Sequence, residues 1–234
     1  NKRDLKTFEK LIQYSKEKST GVACLIEKSY IRSKSILRQK RKVNSYKILR
    51  YDLLNQLVKH VKVKTNIISS TGFISRELDN ILKRQLYPKI KSFYMVGGMG
   101  HAASVTLGVS LKSNKDNICI DGDGSLLMQT GSLGLVRNFA GKKFKYILLR
   151  NDSHESVGDQ STNSSHIDFK LLSKSFGFSS YLLINKKLHL NKVLKRFINM
   201  SGSVFLEVRI KSGSIENLGR PKNLKIIKKK FMLG

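Results

Sequence analysis

From Ser45 onward, short runs of consecutive apolar residues alternate with longer segments whose apolar residues recur at helical spacing, and this alternation limits the open folds more than any other feature. The spacing predicts a helix over 45–59, a strand over 65–69, a helix over 75–85, a short strand over 92–95 and a helix over 101–112. It continues with a strand over 116–121, a helix over 126–139, a strand over 144–150 and a helix over 168–175. A strand over 179–184, a helix over 189–199 and a strand over 203–209 complete the pattern. Strands such as YILL and VFLEV are apolar without alternation, which suits a sheet covered on both faces. The expected fold class is α/β, a doubly wound, mostly parallel sheet with helices on both faces.

Upstream, Leu5, Phe8 and Ile12 mark a helix over 4–16, and GVACLI marks a strand over 21–27. One helix and one strand cannot bury a core. Residues 1–30 therefore read as the end of a preceding domain, 31–44 as a basic linker, 45–213 as the main domain and 214–234 as a basic tail. The chain begins at Asn1 rather than Met, in keeping with further sequence upstream. Lys and Arg number 45 against 16 Asp and Glu, a net charge of +29 that would attract polyanions. Yet the basic residues are spread along the chain beside abundant Ile, Asn and Ser, a compositional bias that needs no polyanion, and no nucleic-acid motif accompanies them. The densest runs, 32–42 and 222–230, fall in the linker and the tail and read as solvated, flexible segments. Nucleic acid is not an expected partner. Nor is a membrane, since no apolar run approaches about 18 residues and the first residues lack the apolar core of a secretory signal. Cys24 and Cys119 sit in apolar runs and read as small hydrophobes without a disulfide pattern. A cytoplasmic protein is the expectation.

In such a sheet, ligands bind beyond the carboxyl ends of the strands. Two polar motifs fall there. NICID runs into Gly122-Asp123-Gly124-Ser125, KYILLR runs into Asn151-Asp152-Ser153, and one right-handed crossover brings both loops to the same edge. Asp123 offers a carboxylate and Asn151 a neutral amide oxygen, a donor set that suits magnesium shared with phosphate oxygens and water. Gly122 and Gly124 permit close backbone approach. Ser125, opening the next helix, can offer its hydroxyl and amide to a phosphate. Alone, a GDG is equally a strand-to-helix turn with an aspartate cap. The second motif at a matching distance is what argues for a cation.

Together these residues resemble the signature of the thiamine diphosphate enzymes, GDG followed downstream by a pair of asparagines. Asn151 stands at the second asparagine; Arg150 replaces the first. The resemblance implies thiamine diphosphate and magnesium as cofactors, Asp123 and Asn151 as metal ligands, and the main-chain carbonyl of Ser153 as a third. Val96-Gly97-Gly98-Met99-Gly100-His101 reads by itself as a glycine turn with a buried methionine. In the family this stretch binds the cofactor: Gly97, beside Gly98, matches the residue whose carbonyl meets the pyrimidine amino group. Met99 matches the apolar wedge that bends the cofactor until that amino group faces the thiazolium carbon.

Within the superfamily, the wording is similar to phosphonopyruvate decarboxylase and, second, to sulfopyruvate decarboxylase. SSTGFISREL (69–78) resembles the diphosphate-side turn and implies Ser70 and Thr71 as cofactor-binding residues. GGMGHAAS (97–104) carries His101, HESVGDQST (154–162) carries His154 and Ser156, and IDF (167–169) and LGRP (218–221) recur. The implied reaction is decarboxylation of a small 2-keto acid, phosphonopyruvate to phosphonoacetaldehyde and carbon dioxide. His101 and His154 are the candidate catalytic, proton-handling groups because imidazole titrates near neutral pH, although a lone histidine more often packs or faces solvent. Arg220 can meet a phosphonate or tie down the tail. Asp152 and Asp159 stand where the family has glycine. The family's activating glutamate belongs to the preceding pyrimidine-binding domain and has no counterpart here. The chain is thus expected to be a piece of a longer enzyme or one subunit of a split one, working in a homo- or hetero-oligomer with that domain or subunit. A truncated, non-catalytic relative is the alternative.

Overall fold

The computed structural model describes residues 2–26, 45–84 and 87–233, and it divides into two units, Asn1–Val43 and Asn44–Gly234. In the first unit, α1 (Lys2–Glu17) is a helix whose Leu5, Phe8 and Ile12 are exposed. Residues 20–26, expected to contain a strand, form none: strand pairing needs a neighbour, and this segment has none among the described residues. Cys24 is exposed there. Residues 31–44, the expected linker, lie outside the described residues.

The second unit is built on six parallel strands: β1 (Thr65–Ser69), β2 (Ile90–Tyr94), β3 (Asp116–Gly122), β4 (Phe144–Arg150), β5 (Ser180–Ile184) and β6 (Val204–Arg209), in the order β2-β1-β3-β4-β6-β5. The fold is α/β, as the alternation requires. Because strand side chains alternate, Ile67, Ile118, Ile120, Ile147, Leu149 and Leu206 form one face, and Ile68, Cys119, Tyr146, Leu148 and Phe205 form the other. Helices α2 (Arg50–His60), α3 (Phe73–Arg84) and α8 (Leu190–Asn199) cover the first face with Leu53, Leu57, Ile74, Leu78, Leu194 and Phe197. Helices α4 (Ala102–Lys112), α5 (Asp123–Met128), α6 (Val136–Phe139) and α7 (Phe169–Ser175) cover the second. This division follows from handedness. The crossovers β1 to β2 and β5 to β6 run one way along the sheet and the others run back, so right-handed connections put their helices on opposite faces.

Two segments depart from the expected pattern. The single helix over 126–139 is instead α5, a 3-10 turn at Thr130–Leu135 and α6, because Gly131 and Gly134 weaken the α-helix while Leu133 and Val136 are still buried. The basic run at 222–230, expected as a flexible tail, is largely helical: α9 (Leu224–Met232) packs along the edge strand β2, with Ile227 against one core cluster and Phe231 against the other. Phe231 meets Phe93 of β2 with ring centroids 5.5 Å apart. No helix among the described residues is long and apolar enough to cross a membrane.

Candidate functional site

The site lies where three neighbouring strands end. β1 runs into Ser70 and Thr71, β3 into Asp123 and β4 into Asn151, at the switch point between β1 and β3, where the β1-to-β2 crossover runs one way along the sheet and the β2-to-β3 crossover runs the other. The loops enclose a cleft lined by Ser70, Thr71, Met99, Gly122, Asp123, Gly124, Ser125, Asn151, Ser153, His154 and Ser156. Gly97, Gly98 and His101 do not line it. Gly97 is exposed at a φ of +74°, Gly98 is half-buried, and His101 is exposed at the start of α4 with Nδ1 3.1 Å from the Met99 carbonyl oxygen. Arg220 is exposed and also outside the lining.

Ser125 ties three loops together. Its Oγ accepts the backbone N–H of Gly100 at 2.9 Å and the Ser70 hydroxyl at 3.0 Å, both in buried surroundings. Behind it, fully buried Asp121 accepts the Tyr146 hydroxyl at 2.9 Å and the Gly122 N–H at 3.0 Å. Burial pushes the Asp121 carboxyl up, and hydrogen bonds from Ser125, Tyr146 and Ser70 pull it back only in part.

Asp123 is 2% exposed, and its Oδ2 accepts three hydrogen bonds, from Asp152 N at 2.9 Å, Thr162 Oγ1 at 2.8 Å and Ser164 Oγ at 2.7 Å. The loop after β4 is thus drawn over the end of β3. Burial pushes the Asp123 carboxyl up despite those bonds, and it forms no ion pair among the described residues. A buried carboxylate without a cationic side chain, beside a neutral amide oxygen in the same cleft, fits a hard divalent cation whose other ligands come from phosphate and water. No group of three or more His, Cys, Asp or Glu able to hold a metal by itself occurs among the described residues. A cation held here would therefore share its ligands with phosphate and water rather than sit in an all-protein cage.

Residues 71–208, more than half of the chain, match the family described as "Thiamine pyrophosphate enzyme, C-terminal TPP binding domain". The chain belongs to the thiamine pyrophosphate enzymes. It is similar to the phosphonopyruvate decarboxylase of Streptomyces viridochromogenes, 34% identical over 72% of this chain and 41% of that protein. It is likewise similar to the sulfopyruvate decarboxylase subunit beta of Methanococcus maripaludis, 33% identical over 67% of this chain and 80% of that one. A third relative, the sulfopyruvate decarboxylase of Methanosarcina acetivorans, is 32% identical over 63% of this chain and 37% of its own length. The chain thus spans less than half of the length of the Streptomyces protein.

Within this TPP-binding domain the unusual residues have local explanations. Asp152 and Asp159 adopt φ of 60° and 68°, the left-handed region where glycine is at ease and aspartate is tolerated. Their carboxylates are also in use. Asp152 Oδ1 accepts Arg150 Nε at 2.8 Å, and Asp159 accepts the Ser153 hydroxyl. Burial would raise the Asp152 carboxyl, but hydrogen bonds from Ser164 and Arg150 outweigh it and hold it below the usual carboxylate range. Arg150 turns away from the cleft, to Glu207 at 3.1 Å and to a place over the Phe169 ring, so its bulk does not crowd Asn151.

Sequence reasoning missed two charged residues of the lining, Arg50 and Glu155. A signal was available in α3. Glu77 lies three residues after Ile74 and four before Ile81, on the buried face of the helix, and is 1% exposed. An acidic residue in an apolar stripe calls for a buried cationic partner, and Arg50 is that partner.

Proposed function

We propose that the chain is the cofactor-binding part of a thiamine diphosphate- and magnesium-dependent 2-keto acid decarboxylase, acting on phosphonopyruvate. The observation that carries the reading is the meeting of Asp123 and Asn151 in one cleft with Ser70, Thr71 and Met99. In this reading Asp123, Asn151 and the Ser153 carbonyl hold magnesium. Ser70, Thr71, Gly122, Gly124 and Ser156 face the diphosphate, with Ser125 bracing their loops. Met99, Gly97 and Gly98 take the side of the organic rings. Thiamine diphosphate, when bound, supplies the carbon nucleophile and electron sink that a 2-keto acid needs to lose carbon dioxide. His154 lines the cleft and is the nearer proton-handling candidate; His101 reaches the site only with movement of its loop or with a partner subunit alongside.

One observation favours a second reading, that of a sulfopyruvate decarboxylase subunit: the chain spans 80% of the Methanococcus subunit beta. Both readings require a pyrimidine-binding domain or subunit that supplies the activating glutamate, and hence an oligomer. The test is titration with thiamine diphosphate in the presence and absence of magnesium, followed by assay of both keto acids with that domain or subunit added. Magnesium-dependent binding and carbon dioxide release from phosphonopyruvate are expected. Release from sulfopyruvate alone selects the second reading. Binding without turnover on either acid identifies a non-catalytic relative, and magnesium-indifferent or absent binding overturns the cofactor assignment.

A further inference from the structure

Beside the cleft, three charged side chains pack together, and the cofactor reading above uses none of them. Arg50, at the start of α2 and 4% exposed, donates Nε to Glu77 Oε2 at 3.0 Å, Nη2 to Glu77 Oε1 at 3.3 Å and Nη1 to Glu155 Oε2 at 2.9 Å. Nη2 also reaches the Gly213 carbonyl at 3.0 Å. Glu155 accepts the Gly213 N–H on Oε1, and on Oε2 it accepts Asn151 Nδ2 at 3.2 Å. Arg50 and Glu155 both line the cleft, as does Asn151.

This arrangement decides which way an amide points. An asparagine side chain has an acceptor end and a donor end of nearly equal size, and only its hydrogen-bond partners distinguish the two orientations. An ionised carboxylate accepts and cannot donate, so only the NH2 end of Asn151 can face Glu155. The oxygen end is thereby turned away from Glu155, and the Ser153 N–H, 3.1 Å from Asn151 Oδ1, supports the same orientation. A half-turn of the amide would offer N–H groups where a cation needs an oxygen. Arg50 is needed in turn, because a mobile, unpaired carboxylate beside a cation and a diphosphate would compete for the first and repel the second.

We infer that Glu155, anchored by Arg50, is a positioning residue that fixes the Asn151 carboxamide with its oxygen available to a cation. The inference rests on the assignment of the cleft as a magnesium diphosphate site. Partners that orient a metal ligand are typically worth about 10–100-fold in metal affinity.

The test uses the full chain and manganese as a paramagnetic stand-in for magnesium, titrated at saturating thiamine diphosphate and followed by electron paramagnetic resonance. Wild type is compared with Glu155→Ala, Glu155→Gln, Asn151→Ala and the Asn151→Ala/Glu155→Ala double variant. Glu155→Ala is expected to weaken manganese binding about tenfold or more, and Glu155→Gln, which keeps an acceptor but loses the charge, by less. In the Asn151→Ala background, loss of Glu155 should add almost nothing, because its effect passes through the amide. An equal loss in both backgrounds, or none in either, overturns the inference. Should Glu155→Ala fail to fold by circular dichroism, the glutamine variant carries the comparison. A second readout needs no cofactor. The Asn151 side-chain amide resonance, assigned by its absence in Asn151→Ala, should shift and lose exchange protection in the Glu155 variants. If it is unchanged the positioning role is wrong; if it changes while wild type binds no manganese diphosphate, it is the cofactor assignment that fails.

Discussion

The His154 ring occupies the space that a side chain on Gly124 would need: a Cβ added there would overlap the ring, coming 2.5 Å from its Nδ1, and would lie 3.0 Å from Thr162 Cγ2. Gly124 does not adopt a left-handed backbone, so the requirement for glycine is one of space. Thr162 is also one of the donors to Asp123, which means that a methyl group at this point pushes on the histidine and on the carboxylate proposed to hold magnesium together. Gly124→Ala is expected to fold with a loss of about 1–3 kcal/mol from overpacking. Its affinity for magnesium thiamine diphosphate should fall at least tenfold. Urea unfolding and a cofactor titration on the same samples check both; unchanged affinity would mean that His154 swings aside freely and does not shape the site.

The structural role of Asp123 can be separated from its proposed role as a metal ligand. Alanine removes the acceptor for one N–H and two hydroxyls, all held around a buried oxygen, and should cost about 2–4 kcal/mol. Asparagine keeps an acceptor oxygen and should cost less than half as much. Both variants lose the charge that a cation requires. Cofactor at a hundredfold excess over its Kd should stabilise wild type by about 2.7 kcal/mol and neither variant by a comparable amount. Unfolding with and without magnesium thiamine diphosphate distinguishes the two roles. An asparagine variant stabilised as strongly as wild type would remove Asp123 from the metal site.

The strand ends were legible because an apolar run that stops at GDG or at Asn151 signals both the element and its exposed carboxyl end. The cleft residues drawn from those exits therefore fall together in space. What escaped was carried by single charged residues far apart in sequence. Arg50 opens a helix and Glu155 opens a short 3-10 turn, and neither position is unusual until the fold brings Arg50 to both Glu77 and Glu155. Helical spacing likewise ran through Gly131 and Gly134, because periodicity records which face is buried and not whether the backbone stays helical. GVACLI reads as a strand on its own, but strands exist only in pairs, and composition carries no information about the partner.

Glu77 provides a pH dependence whose sign can be fixed. Burial pushes its carboxyl up, and the Arg50 charge and hydrogen bond, with the Ile215 N–H, pull it back without cancelling. An acid whose folded pKa lies above its unfolded value holds more protons in the native state between the two. Its contribution to stability is present in full below about pH 4 and is lost as pH rises through the folded pKa. In Glu77→Gln the side chain stays neutral at every pH. The unfolding free energy of wild type minus that of the variant should therefore decline as pH rises above about 4. A difference that grows over this range would show that the Arg50 ion pair outweighs the burial penalty.

The same distinction between charge and packing applies at α9. Its lysines at 225, 228, 229 and 230 are exposed, while Ile227 and Phe231 point to the core clusters and Phe231 lies against Phe93. If packing holds the helix in place, Phe231→Ala should cost about 1–2 kcal/mol, below the value for a fully buried phenylalanine because the side chain is only half-buried. The amides of β2, an edge strand that α9 covers, should then exchange faster with solvent. Replacing Lys228, Lys229 and Lys230 together by Gln should change stability by less than about 0.5 kcal/mol per site and leave β2 protection as it was. Urea unfolding with hydrogen exchange across 90–94 checks both variants. If the lysine variant exposes β2 and the phenylalanine variant does not, the helix is held by its charge, and the dense basic run has a structural role that the packing does not reveal.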